Sequence, residues 1–256
     1  MRSSIEQQNQ RTLAVGNPEI VGFCDGSDDA YAAVLYYRWI LVDGSVHVAL
    51  ACSNARVTPL KRISTPRAEM NGAVMLTRLT KTLVKACSLS GTIPSKVWFI
   101  GDSECTLGSI EKTSGAFGEY FGNRVSEIHS NQAQIEEYCP VGSDGEWWHV
   151  ASEDNAADQP TKTDSTLEDV SYGSTWQNGP RYLQLPQSEW PINREFADRK
   201  DSKIPSSEIL KKFRAVVHHI NEVPEIGVQN LIDPFSTNYW DVLIRHTEVL
   251  LTPFFP

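Results

Sequence analysis

The chain has 256 residues, 40% of them hydrophobic, with 23 Lys and Arg against 32 Asp and Glu, for a net charge of −9. That length holds one sizeable core and an appendage, and the acidic balance speaks against a tight, autonomous nucleic-acid binder, because backbone affinity comes largely from Lys and Arg. There is no run of about 18 apolar residues and no secretory signal, which speaks against membrane and export readings, and five cysteines without a CxxC pair read as reduced, intracellular thiols packed in strands and helices.

Arg2 to Gln10 is polar and reads as a flexible lead-in, so residues 1–16 are set apart from the domain that follows. Ile20 to Asp25 reads as a strand, and alternation puts Val21, Phe23 and Asp25 on one face before a turn at Gly26-Ser27. Tyr31 to Ile40 and Val46 to Cys52 read as two further strands, joined across Asp43-Gly44, a dipeptide that favours a tight hairpin. Thr65 is the expected N-cap and Pro66 the first position of a helix running to about Cys87. At about 100° per residue, Glu69 aligns with Gly72, Ala73, Leu76, Leu83 and Cys87 on the stripe that faces the sheet, with Asn71, Arg78, Lys81 and Lys85 opposite. A carboxylate on that stripe costs several kcal/mol unless it is paired or coordinates a metal. Taken alone, a first-turn carboxylate favoured by the helix dipole, or an ion pair to Arg67 or Arg62, accounts for it as well.

Val97 to Asp102 repeats the strand pattern, with Trp98, Ile100 and Asp102 sharing a face and Gly101 easing the exit. A crossover from the hairpin through the Thr65 helix to Val97 fits a parallel pairing of the first and fourth strands, which makes Asp25 and Asp102 neighbours. Glu146 to Val150 reads as a last strand, and Asp158 follows a polar turn, at or near the start of another helix. In isolation Asp158 reads as a surface cap. The order of the four changes that weighting: strand Asp, helix Glu, strand Asp and post-strand Asp stand 44, 33 and 56 residues apart. Asp25, Glu69, Asp102 and Asp158 are best explained together, as one cluster held by bound cations, and that points to a metal-dependent nuclease.

Here the chain resembles a known family. The ordered series FCDGS, TPRAE, GDS and HVASEDNAAD, with Pro59-Leu60-Lys61, Asn123-Arg124-Val125-Ser126-Glu127-Ile128 and Thr175-Trp176-Gln177-Asn178-Gly179-Pro180, is similar to the ribonuclease H domain of BEL/Pao-type long-terminal-repeat retrotransposon polyproteins. The likeness covers roughly residues 17 to 182. It implies an α/β ribonuclease H-like fold with a five-stranded mixed sheet flanked by helices. It also implies an Asp-Glu-Asp-Asp site in which Asp25, Glu69, Asp102 and Asp158 are both catalytic residues and ligands of two Mg²⁺ ions, Mn²⁺ being a possible substitute. Two such ions about 4 Å apart activate a water on one side of a phosphodiester and stabilise the leaving oxygen on the other, which needs a dense set of hard oxygen ligands. Without metal the four carboxylates repel one another, so raised carboxyl pKa values are expected. The implied substrate is the RNA strand of an RNA-DNA hybrid, selected by groove shape and 2′-hydroxyl contacts. Implied partners are the reverse transcriptase polymerase domain and the integrase of the same polyprotein. The implied location is a cytoplasmic virus-like particle, with the nucleus as the alternative.

One departure stands out. Many ribonucleases H carry a mobile histidine in the loop before the last aspartate, whereas Val150 to Asp158 is short and has none, and His149 on the strand side reads as structural. Slow turnover is the expectation. Lys61, Arg62 and Arg67, just before Glu69, read either as a phosphate-facing group or as a solvated loop.

A Thr-, Asp- and Ser-rich boundary near Lys162 to Asp169 closes a domain of residues 17–165 and opens a C-terminal extension or connector toward integrase, residues 166–256. Within it Ile209 to Ile220 and Tyr239 to Leu251 read as short amphipathic helices, and His218-His219 point about 100° apart and make no metal pair. Three functional readings follow: an active hybrid-specific ribonuclease, which the intact set of four acids favours; a catalytically idle assembly module of a polyprotein or domesticated protein; and a transposase or integrase core. The last usually carries two aspartates and then a late-helix glutamate, an order this chain does not have.

Overall fold

A computed structural model describes residues 14–59, 63–141, 146–162, 166–171, 173–198 and 204–209. The expected lead-in at Arg2 to Gln10, the cations Lys61 and Arg62, the His218-His219 pair and the two C-terminal helices beyond Ile209 lie outside these residues.

Strand β1 (Glu19–Gly26) forms the centre of the sheet, because its residues are apolar on both sides and almost wholly buried. The hairpin partners β2 (Ala30–Ile40) and β3 (Val46–Val57) follow, with Gly44 at φ 82° in the turn. β3 outruns the sequence expectation by five residues. Ser53 to Val57 have no buried face for a pattern to reveal, and pairing with Ala30 to Val34 keeps them in the sheet. A register shift between Leu35 and Tyr36 accommodates one extra residue in β3.

Helix α1 (Thr65–Leu89) crosses to β4 (Lys96–Gly101), which pairs parallel with β1, as the crossover rule requires. Ser64, rather than Thr65, takes the cap position; the Thr65 hydroxyl donates instead to Asp28 Oδ1 at 2.6 Å, tying the helix start to the β1-β2 turn. Helices α2 (Glu104–Ile110) and α3 (Glu119–Glu136) come next, and β5 (Trp147–His149) adds parallel to β4. The sheet order is β3-β2-β1-β4-β5, and this is the five-stranded mixed sheet flanked by helices expected from the sequence. No described helix is long and apolar enough to cross a membrane.

The two faces of the sheet are covered differently. Ile20, Leu35, Val97 and Phe99 meet Met70, Ala73, Leu76 and Val84 of α1 and Phe121, Val125 and Ile128 of α3. On the other face Val21, Phe23, Tyr36, Trp98 and Ile100 pack against Val150, Tyr182, Leu183 and Trp190. Tyr182, Leu183, Trp190 and Ile192, which the sequence reading assigns to the extension, here line that second face. Arg38 staples them down: buried, it donates to Leu183 O at 2.7 Å and Leu185 O at 3.1 Å and pairs with Glu19 at 2.6 Å.

Two glycines set how closely α1 lies on the strands. A Cβ at Gly72 would fall 2.5 Å from Asp25 O, and one at Gly26 would fall 2.2 Å from the Glu69 backbone nitrogen. Backbone meets backbone at both, so no side-chain motion can relieve the clash. Gly72→Ala is therefore expected to destabilise the protein by about 1–3 kcal/mol through overpacking, against a gain of only about 1 kcal/mol from helix propensity. Urea unfolding checks this, and a midpoint equal to or above wild type would contradict the contact.

Candidate active site

The strand ends and the helix start converge at one edge of the sheet. Because Cys24 pairs with Gly101 across β1 and β4, the next residues, Asp25 and Asp102, emerge side by side. The close approach of α1 over Gly26 delivers Glu69 to the same spot. One carboxylate oxygen from each of Asp25, Glu69 and Asp102 lies within 4.8 Å of the other two. Among the described residues no Lys, Arg or His pairs with any of the three.

Burial, with uncompensated charge at short range, displaces the carboxyl pKa values upward. Burial, with the charges of Asp102 and Asp158 added, pushes the Asp25 carboxyl up to about 6 even though Thr161 donates to it. Burial also raises Glu69 to about 9, with Asp102, Asp25 and Asp158 all adding to the effect. The Cys24 thiol, buried beneath the cluster, is pushed well above its ordinary value by burial first and by Glu69, Asp102 and Asp25 after it. It is a neutral packing group, not a nucleophile.

Asp158 stands apart from the other three. It sits in a 3-10 segment, Ala156–Thr161, and its Oδ2 pairs with Lys162 Nζ at 2.6 Å. Its charge still acts on Asp25 and Glu69. The structure thus gathers three of the four expected acids and holds the fourth at the rim with a cation of its own.

Several groups that position the cluster carry little sequence signal. Thr161 is buried, its hydroxyl donates to Asp25 Oδ2, and it lies 3.0 Å from Asp158 O, so one side chain joins β1 to the Asp158 segment. Asn155 Nδ2 donates to Cys24 O at 3.0 Å while its Oδ1 accepts from Ala157 N, which fixes the turn before Asp158 against the same strand. A ring nitrogen of His149 lies 3.1 Å from Asp102 O, and its backbone pairs with Asn193, in keeping with the structural role read for it. The sequence hints are an Asn immediately before a short helical segment and a Thr three residues after Asp158.

Whether these residues suit divalent cations can be judged from the donors. Asp102 Oδ1 is buried and has no hydrogen-bond partner among the described residues, an arrangement that costs free energy unless a cation takes the lone pairs. Hard carboxylate oxygens from three rigid elements are the ligand type Mg²⁺ and Mn²⁺ prefer. The residues fit.

A mixed sheet of this order, with acids at the ends of β1 and β4 and at the start of α1, is the ribonuclease H-like fold expected from the sequence. More particularly, residues 2–103, which hold Asp25, Glu69 and Asp102, match the family model of the Pao retrotransposon-like RNaseH-like domain, and the resemblance read from the motifs stands. Among solved structures, the N-terminal RNase H domain of a Mycobacterium tuberculosis protein, determined as a fusion with maltose-binding protein, is similar at 13% identity and TM-score 0.38, covering 58% of this chain and 93% of that one. RNase H1 of Halobacterium salinarum is similar at 12% identity and TM-score 0.30, covering 56% and 91%. No curated protein sequence matches the chain.

Proposed function

We propose that this chain is an active ribonuclease H: a divalent-metal-dependent endonuclease that hydrolyses the RNA strand of RNA-DNA hybrids during reverse transcription of a retrotransposon. The observation that carries this reading is the meeting of Asp25, Glu69 and Asp102 within 4.8 Å with no counter-cation among the described residues. A purely structural cluster would be expected to have an Arg or Lys inside it. Two Mg²⁺ ions bound there would supply charge to a nucleophilic water and to the departing oxygen of a phosphodiester.

The residues themselves have separable tasks. Asp25, Glu69 and Asp102 supply the oxygens that would hold the ions, on rigid strand ends and a helix start, so little reorganisation is needed. Thr161 donates to Asp25 Oδ2 and so fixes the orientation of that carboxylate. Asp158, the fourth ligand in this reading, exchanges Lys162 for an ion. The polymerase domain and integrase of the polyprotein are proposed partners, the former holding the hybrid that an acidic domain binds weakly, and a virus-like particle is the proposed setting.

An assay with labelled RNA-DNA hybrid, RNA duplex and DNA duplex, in Mg²⁺ or Mn²⁺, is expected to show cleavage of RNA in the hybrid alone. The Asp158–Lys162 pair and the lack of a histidine between Val150 and Asp158 favour one competing reading, an idle assembly module. Metal binding without cleavage would select it, and strand transfer into DNA would overturn both.

A further inference from the structure

Beside the acidic cluster lies a compact cationic group. The Tyr120 ring is held between two guanidinium groups, Arg67 at 4.4 Å and Arg124 at 3.4 Å from its centroid. The Tyr120 hydroxyl donates to Asn71 Oδ1 at 3.0 Å, and Arg124 Nε donates to the same oxygen at 2.6 Å. Arg124 Nη1 also donates to Tyr120 O at 3.1 Å. Arg67, on the turn of α1 that also carries Glu69, presents a donor edge formed by Nε and Nη2.

That edge is covered by the chain's own downstream segment. Glu208 Oε1 lies 2.7 Å from both Nε and Nη2 of Arg67, and the Glu208 side chain is only 6% exposed while that of Arg67 is 38% exposed. Two contacts keep the described segment in place: Ile204 is buried in the core, and Ile209 forms an isolated antiparallel bridge with Phe117 that includes the 2.8 Å bond from Gly118 N to Glu208 O. Glu208 also adds to the raised pKa of the Cys105 thiol, after burial and Glu69.

Guanidinium forks recognise carboxylate and phosphate with the same donor geometry. We propose that Arg67, backed by Tyr120 and Arg124, is a seat for a backbone phosphate of the nucleic acid, and that Glu208 is its intramolecular competitor, so that the Ile204–Ile209 segment holds the seat closed until polyanion displaces it. This rests on the reading of the site as nucleic-acid-directed, but not on cleavage. A carboxylate on Arg67 removes a phosphate contact and places a like charge where a polyanion would approach. Among the described residues the strap is held by one buried aliphatic side chain, one short backbone bridge and one ion pair whose Arg67 side is 38% exposed, which is light enough to leave.

The test is equilibrium binding of labelled RNA-DNA hybrid to the full chain in Ca²⁺ at low salt. Glu208→Gln is expected to tighten binding about three- to tenfold, Arg67→Gln to weaken it by a similar factor, and the double variant to bind like Arg67→Gln, because the gain acts through Arg67. Glu136→Gln, an exposed acid far along α3, serves as the control for net charge and is expected to leave the Kd near wild type. In a second measurement on the wild-type chain, saturating hybrid is expected to speed hydrogen exchange of the Gly118 amide, because its acceptor on Glu208 leaves. Unchanged or weaker binding by Glu208→Gln, an equal gain in Glu136→Gln, a gain that persists without Arg67, or Gly118 exchange that is unchanged or slowed would each overturn the proposal. Tighter binding by Glu208→Gln with no cleavage in Mg²⁺ would uphold it while removing the ribonuclease reading; cleavage by wild type with no effect of Glu208→Gln would do the reverse.

Discussion

Asp102→Asn is expected to slow RNA cleavage by at least about a thousandfold while leaving the metal-free protein as stable as wild type or more so. Stabilisation of developing charge by bound cations is worth several kcal/mol, and each 1.36 kcal/mol is tenfold in rate. The amide keeps the shape of the side chain but supplies one weaker oxygen donor in place of two anionic ones. Its effect on folding has the opposite sign. Asp102 Oδ1 is buried without a partner, and the Asp102 charge helps to raise both Asp25 and Glu69, so removing it relieves repulsion that the fold otherwise tolerates. Single-turnover cleavage and urea unfolding in chelator check the two halves. A wild-type rate would remove Asp102 from the chemistry; a loss of stability well beyond 1 kcal/mol would make it a structural acid.

The second large effect is a coupling of stability, pH and metal. Asp25 at about 6 and Glu69 at about 9 both lie above the ordinary carboxyl range near 4. Between roughly pH 4 and pH 9 the metal-free folded chain therefore holds more protons than the unfolded one, and its stability falls as pH rises through that window. At about 1.4 kcal/mol for each pH unit by which a carboxyl is displaced, the loss amounts to several kcal/mol by the alkaline end. Mg²⁺ competes with those protons, so its stabilising effect is small near pH 5 and grows toward pH 9, and cleavage rises over the same range. Glu69→Gln removes the more strongly displaced acid and flattens the metal-free curve above about pH 6. Thermal unfolding across pH, with and without Mg²⁺, reads all of this. A metal-free protein that gains stability from pH 5 to pH 9 would show that the three acids are not coupled as the geometry requires.

The parts of the fold that could be read from sequence are those with a period. The alternation in Ile20 to Asp25 and Val97 to Asp102, the Asp43-Gly44 turn and the 3.6-residue stripe of α1 led to the hairpin, the crossover and the adjacency of Asp25 and Asp102, all of which are present. Ser53 to Val57 escaped because an exposed edge has no apolar side to betray it. Tyr182, Leu183, Trp190 and Phe196 escaped for a different reason: they are isolated large side chains in or beside helical turns of three or four residues, too short for a period to say which surface they cover. At the site, the identity of three converging acids was legible, since a carboxylate on an apolar stripe is costly alone. The direction of Asp158 was not, because Lys162 lies one turn away and competes for it. Nor was Thr161, whose importance comes wholly from a partner 136 residues away.

The lining of the second sheet face bears on where the polypeptide can be divided. Were the chain severed near residue 165, a wall comprising Val21, Phe23, Tyr36, Trp98 and Ile100 would lose Tyr182, Leu183 and Trp190 and stand open to water. Exposed aromatic and branched surface of that extent invites self-association, and the Arg38 guanidinium would be stripped of two of its carbonyl acceptors. A chain end placed beyond Ile192 would leave that face covered, whereas an expression boundary drawn at the last acidic motif would yield a sticky, half-clad sheet.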